Sequence, residues 1–338
     1  MIQAWAAKEQ GAALERYEYD PGPLPADEVE IAVESCGLCH SDVSLIDNEW
    51  FVSQYPLVPG HEVVGVVESV GSAVTHLKAG DRVGVGWYAH SCLTCHPCMS
   101  GDHNMCGDAK GVAAAHQGRY GGFADKVRAQ AAWAVKLPDG VDADKAGPLF
   151  CGGITVFNPI VQNNIKPTDK VGVIGIGGLG HLAVKFLKAW GCEVTAFTST
   201  GAKAEEARAM GAHRIVNSRD EDALKAEKGR YDMVLSTVNV PLKWSRYISA
   251  LAPRGKLHMV GAVMEPMPVA AGMLMDNQRS VTGSSVGAPA TIATMLEFCA
   301  RHDITAQTEH LPMSRINEAI DRLKKGDVRY RFVLENDF

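Results

Sequence analysis

Residues 170–180 read Lys-Val-Gly-Val-Ile-Gly-Ile-Gly-Gly-Leu-Gly, a short apolar run that passes directly into closely spaced glycines. The run predicts a buried strand at 171–174, and the periodic apolar residues after it predict a helix at 179–190. Between the two stands the motif G-x-G-x-x-G, formed by Gly175, Gly177 and Gly180. Glycines allow a tight turn and a close approach to a ligand, and the free N–H groups that begin a helix attract phosphate. The stretch predicts a pyrophosphate-binding loop; a turn whose glycines serve packing alone is the alternative.

The alternation of strand and helix continues after this loop. A charged helix is predicted at 203–210, and further short strands are predicted at 193–197, 215–216, 233–235 and 257–260. Alternation at this spacing is typical of a parallel sheet whose strands are connected by helices. We therefore predict an α/β fold with a doubly wound domain over 154–289.

The segments on either side have a different character. Residues 1–153 contain short β-like runs separated by Gly and Pro, such as 29–34 and 63–70, which predict a β-rich domain. Residues 290–338 contain two predicted helices and a final strand at 331–334. Periodicity alone does not assign this last segment to either domain.

Composition narrows the class of function. The 338 residues include 33 Lys plus Arg and 39 Asp plus Glu, a net charge of −6, with 46% hydrophobic residues. The length predicts two domains, and a mildly acidic chain lacks the field that collects nucleic acid. Residues 1–20 contain no apolar leader, and the glycine-rich stretch 170–191 carries interior charge, so we expect a cytoplasmic protein without a membrane span. The expected partner is a small molecule.

Nine cysteines in a chain expected to be cytoplasmic favour thiolate ligands over disulfides. Four of them lie in the polar loop 91–111 as C-x2-C-x2-C-x7-C: Cys92, Cys95, Cys98 and Cys106. Four soft thiolates this close in sequence fit a closed tetrahedral zinc site that organises a loop without its own core. An iron–sulfur cluster or a set of redox thiols is the alternative.

The residues at the end of the second strand of the doubly wound domain indicate whether NAD(H) or NADP(H) is bound. An NAD-binding fold places a carboxylate there, whereas this chain has Thr198, Ser199 and Thr200, followed by Lys203. A carboxylate would repel a 2′-phosphate by roughly 4 kcal/mol at about 4 Å and an effective dielectric of about 20. Hydroxyls and a lysine favour that phosphate, so NADP(H) is predicted. The alternative is that the hydroxyl residues only cap a helix.

Three separated segments carry a resemblance to a known family. They are 36–42 (Cys-Gly-Leu-Cys-His-Ser-Asp), 60–62 (Gly-His-Glu) and 151–155 (Cys-Gly-Gly-Ile-Thr). With the cysteine loop between them and the glycine loop after them, the chain resembles the zinc-dependent medium-chain alcohol dehydrogenases from end to end. It is most similar to their cinnamyl-alcohol-dehydrogenase-like branch, and in particular to bacterial NADPH-dependent aldehyde reductases, through 47–50, 55–60 and 171–175.

The resemblance implies an architecture. Both chain ends would form a GroES-like, β-rich catalytic domain, so that 290–338 return to the first domain, and a Rossmann domain would lie between them in the sequence. It also implies a homodimer joined through the dinucleotide-binding domains.

The resemblance further implies a catalytic zinc bound by Cys39, His61 and Cys151, the second of two zinc ions per chain. Ser41 would relay a proton to the substrate oxygen, Asp42 would orient His61, and Glu62 would lie behind the metal. Relatives often carry a histidine where this chain has Ser44, so the outer end of the relay is left open.

The remaining expectations concern cofactor and substrate. Thr155 is expected near the nicotinamide and Arg331 at the pyrophosphate, with Arg329 as a substitute. Gly178, Leu179 and Val260 complete the expected cofactor site. Aromatic residues are expected to line an apolar substrate pocket, the alternative being that they belong to the core: Trp50, Trp87 and Tyr88.

The function implied is zinc-dependent hydride transfer between NADP(H) and an aldehyde/primary alcohol pair, mainly the reduction of medium-chain and aromatic aldehydes. Two alternative functions make different demands on the sequence. A zinc-free quinone or enoyl reductase would need neither set of metal ligands. A cofactor- or zinc-responsive binding protein would have lost Ser41 or a ligand, and this chain retains them all.

Overall fold

The computed structural model describes residues 1–112 and 119–338. These residues form two compact units, the first composed of 1–154 together with 286–338 and the second of 155–285. The unit boundaries therefore follow residues 154 and 285, where the sequence predicted 153 and 289. None of the helices in the described ranges is long and apolar enough to cross a membrane.

The first unit begins as a β structure with short helices. Its strands are β1 (Ile2–Ala6), β2 (Glu15–Tyr19), β3 (Glu28–Leu38), β4 (Val63–Val70), β5 (Arg82–Val85), β6 (Tyr88–His90), β7 (Lys110–Gly111), β8 (Lys126–Gln130) and β9 (Val135–Lys136). Its helices in this part are α1 (His40–Ile46), α2 (His96–Met99) and α3 (Ala143–Ala146). β3 and β4 pair in antiparallel fashion with alternating burial, as expected for strands that cover a core on one face.

The second unit follows the predicted alternation. After α4 (Gly152–Gln162), which spans the boundary between the units, the elements are β10 (Lys170–Ile174), α5 (Gly180–Trp190), β11 (Glu193–Thr198), α6 (Gly201–Ala209), β12 (Arg214–Asn217), α7 (Glu221–Ala226), β13 (Tyr231–Ser236), α8 (Trp244–Ala250), β14 (Leu251–Met259), α9 (Ala271–Met275) and β15 (Ser280–Gly283). The six strands pair in parallel in the order β12-β11-β10-β13-β14-β15. β10 is buried along nearly its whole length because helices cover both faces of the sheet.

The last residues extend the sheet of the first unit. After α10 (Pro289–His302), β16 (Thr308–Pro312), α11 (Ile316–Lys324) and β17 (Arg331–Glu335) complete the chain. β17 pairs with β3, giving a seven-stranded sheet in the order β16-β17-β3-β4-β5-β9, with β8 also paired to β3. This pairing brings Arg331, at the start of β17, into the same unit as the segments that carry Cys39 and His61.

Candidate functional site

Four side chains of the first unit form a buried donor cluster: Cys39, His61, Glu62 and Cys151. Cys39 caps the N-terminus of α1, His61 and Glu62 lie directly before β4, and Cys151 precedes α4. Their ligand atoms all lie within 4.8 Å of one another. The structure thus brings together the three predicted ligands of the catalytic zinc and the predicted neighbour Glu62.

The cluster fits a metal ion of the zinc type. The Sγ atoms of Cys39 and Cys151 are 3.9 Å apart and the thiols are free, while His61 Nε2 lies 3.2 Å from the Cys151 Sγ. Thiolates of a tetrahedral zinc site lie about 3.8 Å apart, because each is about 2.3 Å from the ion. Two sulfurs, an imidazole and a carboxylate are donors that zinc accepts.

Asp42 holds both ligand-bearing segments. It is fully buried; its Oδ2 accepts the backbone N–H of Cys39 at 3.0 Å, and its Oδ1 accepts the N–H of Gly60 at 2.8 Å and Nδ1–H of His61 at 2.9 Å. Because Nδ1–H of His61 is used in this hydrogen bond, Nε2 is the ring nitrogen that faces the thiols and can bind a metal ion. Burial lowers the pKa of His61, but the Asp42 carboxylate and the Cys39 thiol together outweigh burial and raise it to about 10. A more basic imidazole is a stronger metal ligand.

Gly60 sets the position of His61. Its φ is +101°, and a Cβ there would lie 2.7 Å from the backbone N of Phe123. Only glycine combines this left-handed backbone with such a close approach. This geometry explains why glycine is the first residue of the Gly-His-Glu segment.

Glu62 and Arg331 form a buried ion pair beside the thiols. A hydrogen bond from Cys151 and the nearby Arg331 charge hold the pKa of the Cys39 thiol well below its usual range, although burial opposes them. Within the described ranges, neither carboxylate oxygen of Glu62 accepts a hydrogen bond of normal geometry, so a lone pair stays available to a cation. The resemblance assigned Arg331 to the cofactor pyrophosphate. That assignment stays a prediction. The structure places the Arg331 guanidinium on Glu62, since a buried carboxylate needs a counter-charge.

The proposed relay residues lie on α1. Ser41 is half-buried in the first turn of this helix, and Ser44 is buried and donates to the Glu49 carboxylate at 2.6 Å. Sequence reasoning missed Glu49, an exposed acid just beyond the helix. Its backbone N–H also bonds to the Ser44 carbonyl at 2.9 Å, so the chain folds back to present the carboxylate.

Two of the three predicted pocket aromatics lie beside the cluster. The Trp87 ring packs edge-on against His61 with centroids 4.8 Å apart, and Trp50 packs on Trp87 at 6.0 Å. The structure does not bring Tyr88 to this group, and the ring of Tyr88 lies 5.5 Å from that of Trp133. Trp87 lies at the bend before β6 and Tyr88 is the first residue of that strand, and their rings have different neighbours.

The second donor cluster consists of Cys92, Cys95, Cys98 and Cys106, whose sulfurs also lie within 4.8 Å of one another. The Sγ atoms of Cys92 and Cys98 are 4.0 Å apart, and the N–H of Cys95 donates to the Cys92 Sγ at 3.3 Å. The backbone N–H groups of Thr94 and Cys95 lower the pKa of Cys92 to about 6. Free thiols with backbone donors fit a closed four-thiolate zinc site.

The predicted cofactor residues of the second unit gather at one edge of its sheet. Gly175, with φ +86°, follows β10, Thr198 ends β11 and Val260 follows β14, so all three lie at carboxyl ends of parallel strands. A Cβ at Gly180 would overlap the carbonyl oxygen of Gly175, whereas the Cβ position of Gly177 is open. The structure therefore assigns close packing to the third glycine and leaves the second accessible. Gly178 and Leu179 complete the loop.

The hydroxyl residues at the end of β11 were expected either to bind a 2′-phosphate or to cap a helix, and the structure treats them differently. Thr198 is buried, while Ser199 and Thr200 are exposed. Thr200 caps α6 and its Oγ1 accepts the backbone N–H of Lys203 at 3.4 Å, so the helix-cap alternative describes this residue. Ser199 makes no such bond in the described structure and keeps its hydroxyl at the sheet edge. Thr155 is buried within α4.

The chain was compared with protein families and known proteins. Residues 25–139 match the alcohol dehydrogenase GroES-like domain, and residues 178–301 match the zinc-binding dehydrogenase family. The chain is 55% identical over 336 residues to the aldehyde reductase AdhA of Synechocystis sp., with 99% of each chain covered.

Two solved structures are also similar. A cinnamyl alcohol dehydrogenase of Sorghum bicolor superimposes with a TM-score of 0.93 and 39% identity, over 99% of this chain and 97% of that one. A cinnamyl alcohol dehydrogenase of Helicobacter pylori, complexed with NADP(H), does so with a TM-score of 0.88 and 27% identity, over 99% and 97%. The resemblance seen in the sequence is confirmed: the chain belongs to the zinc-containing medium-chain alcohol dehydrogenases, an oxidoreductase family, on their cinnamyl-alcohol-dehydrogenase-like branch.

Proposed function

We propose that this chain reduces medium-chain and aromatic aldehydes to primary alcohols with NADPH. The observation that carries the proposal is the buried donor set of Cys39, His61 and Cys151, oriented by Asp42. The full-length similarity to a protein named aldehyde reductase supports the substrate class.

Cys39, His61 and Cys151 would hold one zinc ion and the four-cysteine loop a second. The first zinc, when bound, supplies a Lewis acid for the substrate carbonyl, and NADPH supplies the hydride. Ser41 holds a proton close to Cys39 for transfer to the substrate oxygen. Trp50 and Trp87 supply apolar surface beside His61, which favours an apolar aldehyde and excludes water. Ser44 and Glu49 offer a path from the helix to solvent.

The second unit is proposed to bind NADP(H). Its support is the glycine loop at Gly175–Gly180, the exposed Ser199 in place of a carboxylate and Lys203 one turn into α6. The NADP(H) in the Helicobacter pylori relative agrees with this choice. We also propose Thr155, Thr198 and Val260 as further cofactor residues. Arg331, which pairs with Glu62, stays the residue that the resemblance implies at the pyrophosphate.

We further propose a cytoplasmic homodimer, joined through the second unit. Within the described residues, β15 lies at the outer edge of its sheet and pairs with β14 alone. Met264 and Met275, in the segment that connects β14 to β15, are 65% and 76% exposed. An open strand edge with apolar side chains beside it is a surface that a second copy can cover.

The first test combines NADPH oxidation, metal content and one ligand variant. Purified protein should contain two zinc ions per chain and oxidise NADPH when given aldehydes. Its kcat/KM should rise a few-fold for each added methylene from acetaldehyde until the pocket is filled, since each buried CH₂ contributes about 0.8 kcal/mol. Cys39→Ser should remain folded and bind NADPH but lose turnover.

Cys36→Ser is the matched control, because Cys36 is a buried free thiol three residues away that lies outside the donor cluster. It should retain activity. An active Cys39→Ser protein, or a single zinc per chain, would contradict the metal assignment. A flat aldehyde series would contradict the proposed substrate class.

A further inference from the structure

His181 follows the glycine loop directly, at the start of α5, and is fully buried. Its backbone N–H reaches the carbonyl oxygen of Gly177 at 3.0 Å, and its ring Nδ1 reaches the same oxygen at 3.1 Å. Because a carbonyl oxygen only accepts hydrogen bonds, Nδ1 carries the ring proton. The backbone and the side chain of one buried residue therefore both bond to the carbonyl of the second glycine in the motif.

This contact determines which way a neighbouring donor points. In a planar trans peptide, the C=O of Gly177 and the N–H of Gly178 point in opposite directions. With the carbonyl held toward His181, the Gly178 N–H faces away from the helix. The space around Gly177 is open on its Cβ side. Glycine peptides reorient at little steric cost. The ring N–H of His181 adds a second hydrogen bond to the backbone bond and so opposes this reorientation.

The role of His181 is geometric and not one of charge. Burial lowers the pKa of His181 to about 4, and the positive charge of Lys185 adds to this effect. The imidazole is therefore neutral near pH 7 and offers no cation to a phosphate. What it offers is a fixed hydrogen-bond donor.

We propose that His181 is a positioning residue for cofactor binding, which fixes the Gly177 carbonyl so that the Gly178 N–H is presented to the dinucleotide pyrophosphate. The inference rests on the proposed binding of NADP(H). It concerns affinity for the pyrophosphate and predicts no change in affinity for the adenosine end of the cofactor.

The test measures affinity for two ligands by titration of the full-length protein. NADPH carries the pyrophosphate, whereas 2′-AMP carries the adenosine 2′-phosphate without it. His181→Leu should raise the Kd for NADPH about tenfold, the equivalent of one net hydrogen bond of about 1.4 kcal/mol, and leave the Kd for 2′-AMP within twofold. His181→Asn, whose amide N–H can replace Nδ1–H, should recover most of the NADPH affinity.

Val184→Ala is the matched control, because Val184 is fully buried in the same helix and offers no side-chain donor. It should lower the melting temperature without a selective loss of NADPH. If His181→Leu does not fold, His181→Ala replaces it in the comparison with Val184→Ala.

An unchanged NADPH affinity in the leucine variant, equal losses for both ligands, or no recovery with asparagine would overturn the inference. If the wild-type chain binds NADH and not NADPH, the proposed cofactor fails separately, and NADH with AMP gives the same comparison for His181. A chain that binds neither dinucleotide overturns both proposals.

Discussion

At the scale of single residues, the donor cluster depends on one carboxylate that is not itself in it. Asp42 accepts three hydrogen bonds, from Cys39, Gly60 and His61, and is fully buried. An ionised carboxylate can accept all three hydrogen bonds because both of its oxygens carry lone pairs and neither carries a proton. Two segments far apart in the sequence are thereby held in one arrangement.

Asp42→Asn should disrupt this arrangement while changing little in volume. The amide oxygen of the variant can still accept the hydrogen bonds from Gly60 and His61. Its N–H₂ group then faces the backbone N–H of Cys39, and two hydrogen-bond donors cannot pair with each other. Leaving these groups unpaired should cost about 1–3 kcal/mol of unfolding free energy and weaken zinc binding about 10–100-fold. Chelator competition and chemical denaturation measure the two effects.

The control is Asp47→Asn at the other end of α1, where Asp47 forms a surface pair with Lys324. A surface pair contributes about 0–1 kcal/mol, so this variant should bind zinc normally. Equal behaviour of the two variants would show that Asp42 has no special role.

Ser199 is the residue at which cofactor choice can be tested. Ser199→Asp should shift the ratio of kcat/KM toward NADH by at least about tenfold, since a carboxylate repels the 2′-phosphate by up to about 4 kcal/mol before solvent screening. Steady-state kinetics with both cofactors measures the ratio. Ser72→Asp, at an exposed position of the first unit, should leave it unchanged. Wild-type protein with equal kcat/KM for both cofactors would contradict the interpretation of residues 198–203.

At the scale of elements, the segment 91–111 has little regular structure of its own. It contains the four-residue helix α2, the two-residue strand β7 and one turn of 3-10 helix at His103–Met105. So little secondary structure cannot stabilise a loop of this length, whereas a bound zinc contributes on the order of 10 kcal/mol to folding around it.

Cys98→Ser should therefore remove one zinc ion per chain and loosen this loop. We expect a lower melting temperature and faster proteolytic cleavage within 91–111, with the zinc ion of the other cluster retained. Metal analysis and limited proteolysis measure these results. Cys299→Ser, a buried thiol in α10 outside both donor clusters, should keep two zinc ions. Retention of both ions by Cys98→Ser would reject the four-thiolate site.

At the scale of the whole molecule, buried histidines make stability depend on pH. His258 in β14 is buried and bonds to Thr282, Ser284 and Asn163, at 2.8, 2.9 and 3.2 Å. Burial lowers the pKa of His258 to about 4, with Lys256 contributing. The unfolded chain, with a histidine pKa of about 6.5, takes up the proton first as the pH falls.

The contribution of His258 to the free energy of unfolding should therefore be fully present above about pH 6.5 and decline as the pH falls toward 4. Denaturant titrations at pH 7.5 and pH 5.0 measure this decline. His258→Gln should be less stable at pH 7.5 and show a smaller decline, while exposed His302→Gln should match the wild type. A decline of the same size in His258→Gln would show that other groups cause it.

Features whose parts lie close together along the chain could be predicted from the amino-acid sequence. The strand, glycine loop and helix at 170–190 and the four-cysteine loop could be predicted because each is built from neighbouring residues with one function. β15, a short polar edge strand read Ser-Val-Thr-Gly, was not predicted because it has no apolar pattern. The grouping of Cys39, His61 and Cys151 came from family resemblance and not from spacing.

Contacts between residues that are distant along the chain became visible only in the folded protein. Pairing of β17 with β3 brings Arg331 to Glu62, and Asp42 reaches Gly60 across 18 positions of the chain. The different ring partners of Trp87 and Tyr88, and the hydrogen bond of His181 to Gly177, also depend on geometry that residue type does not encode. The physical reason is that periodicity records which face of an element is buried, whereas a buried charge or donor must find whichever partner packing places within reach.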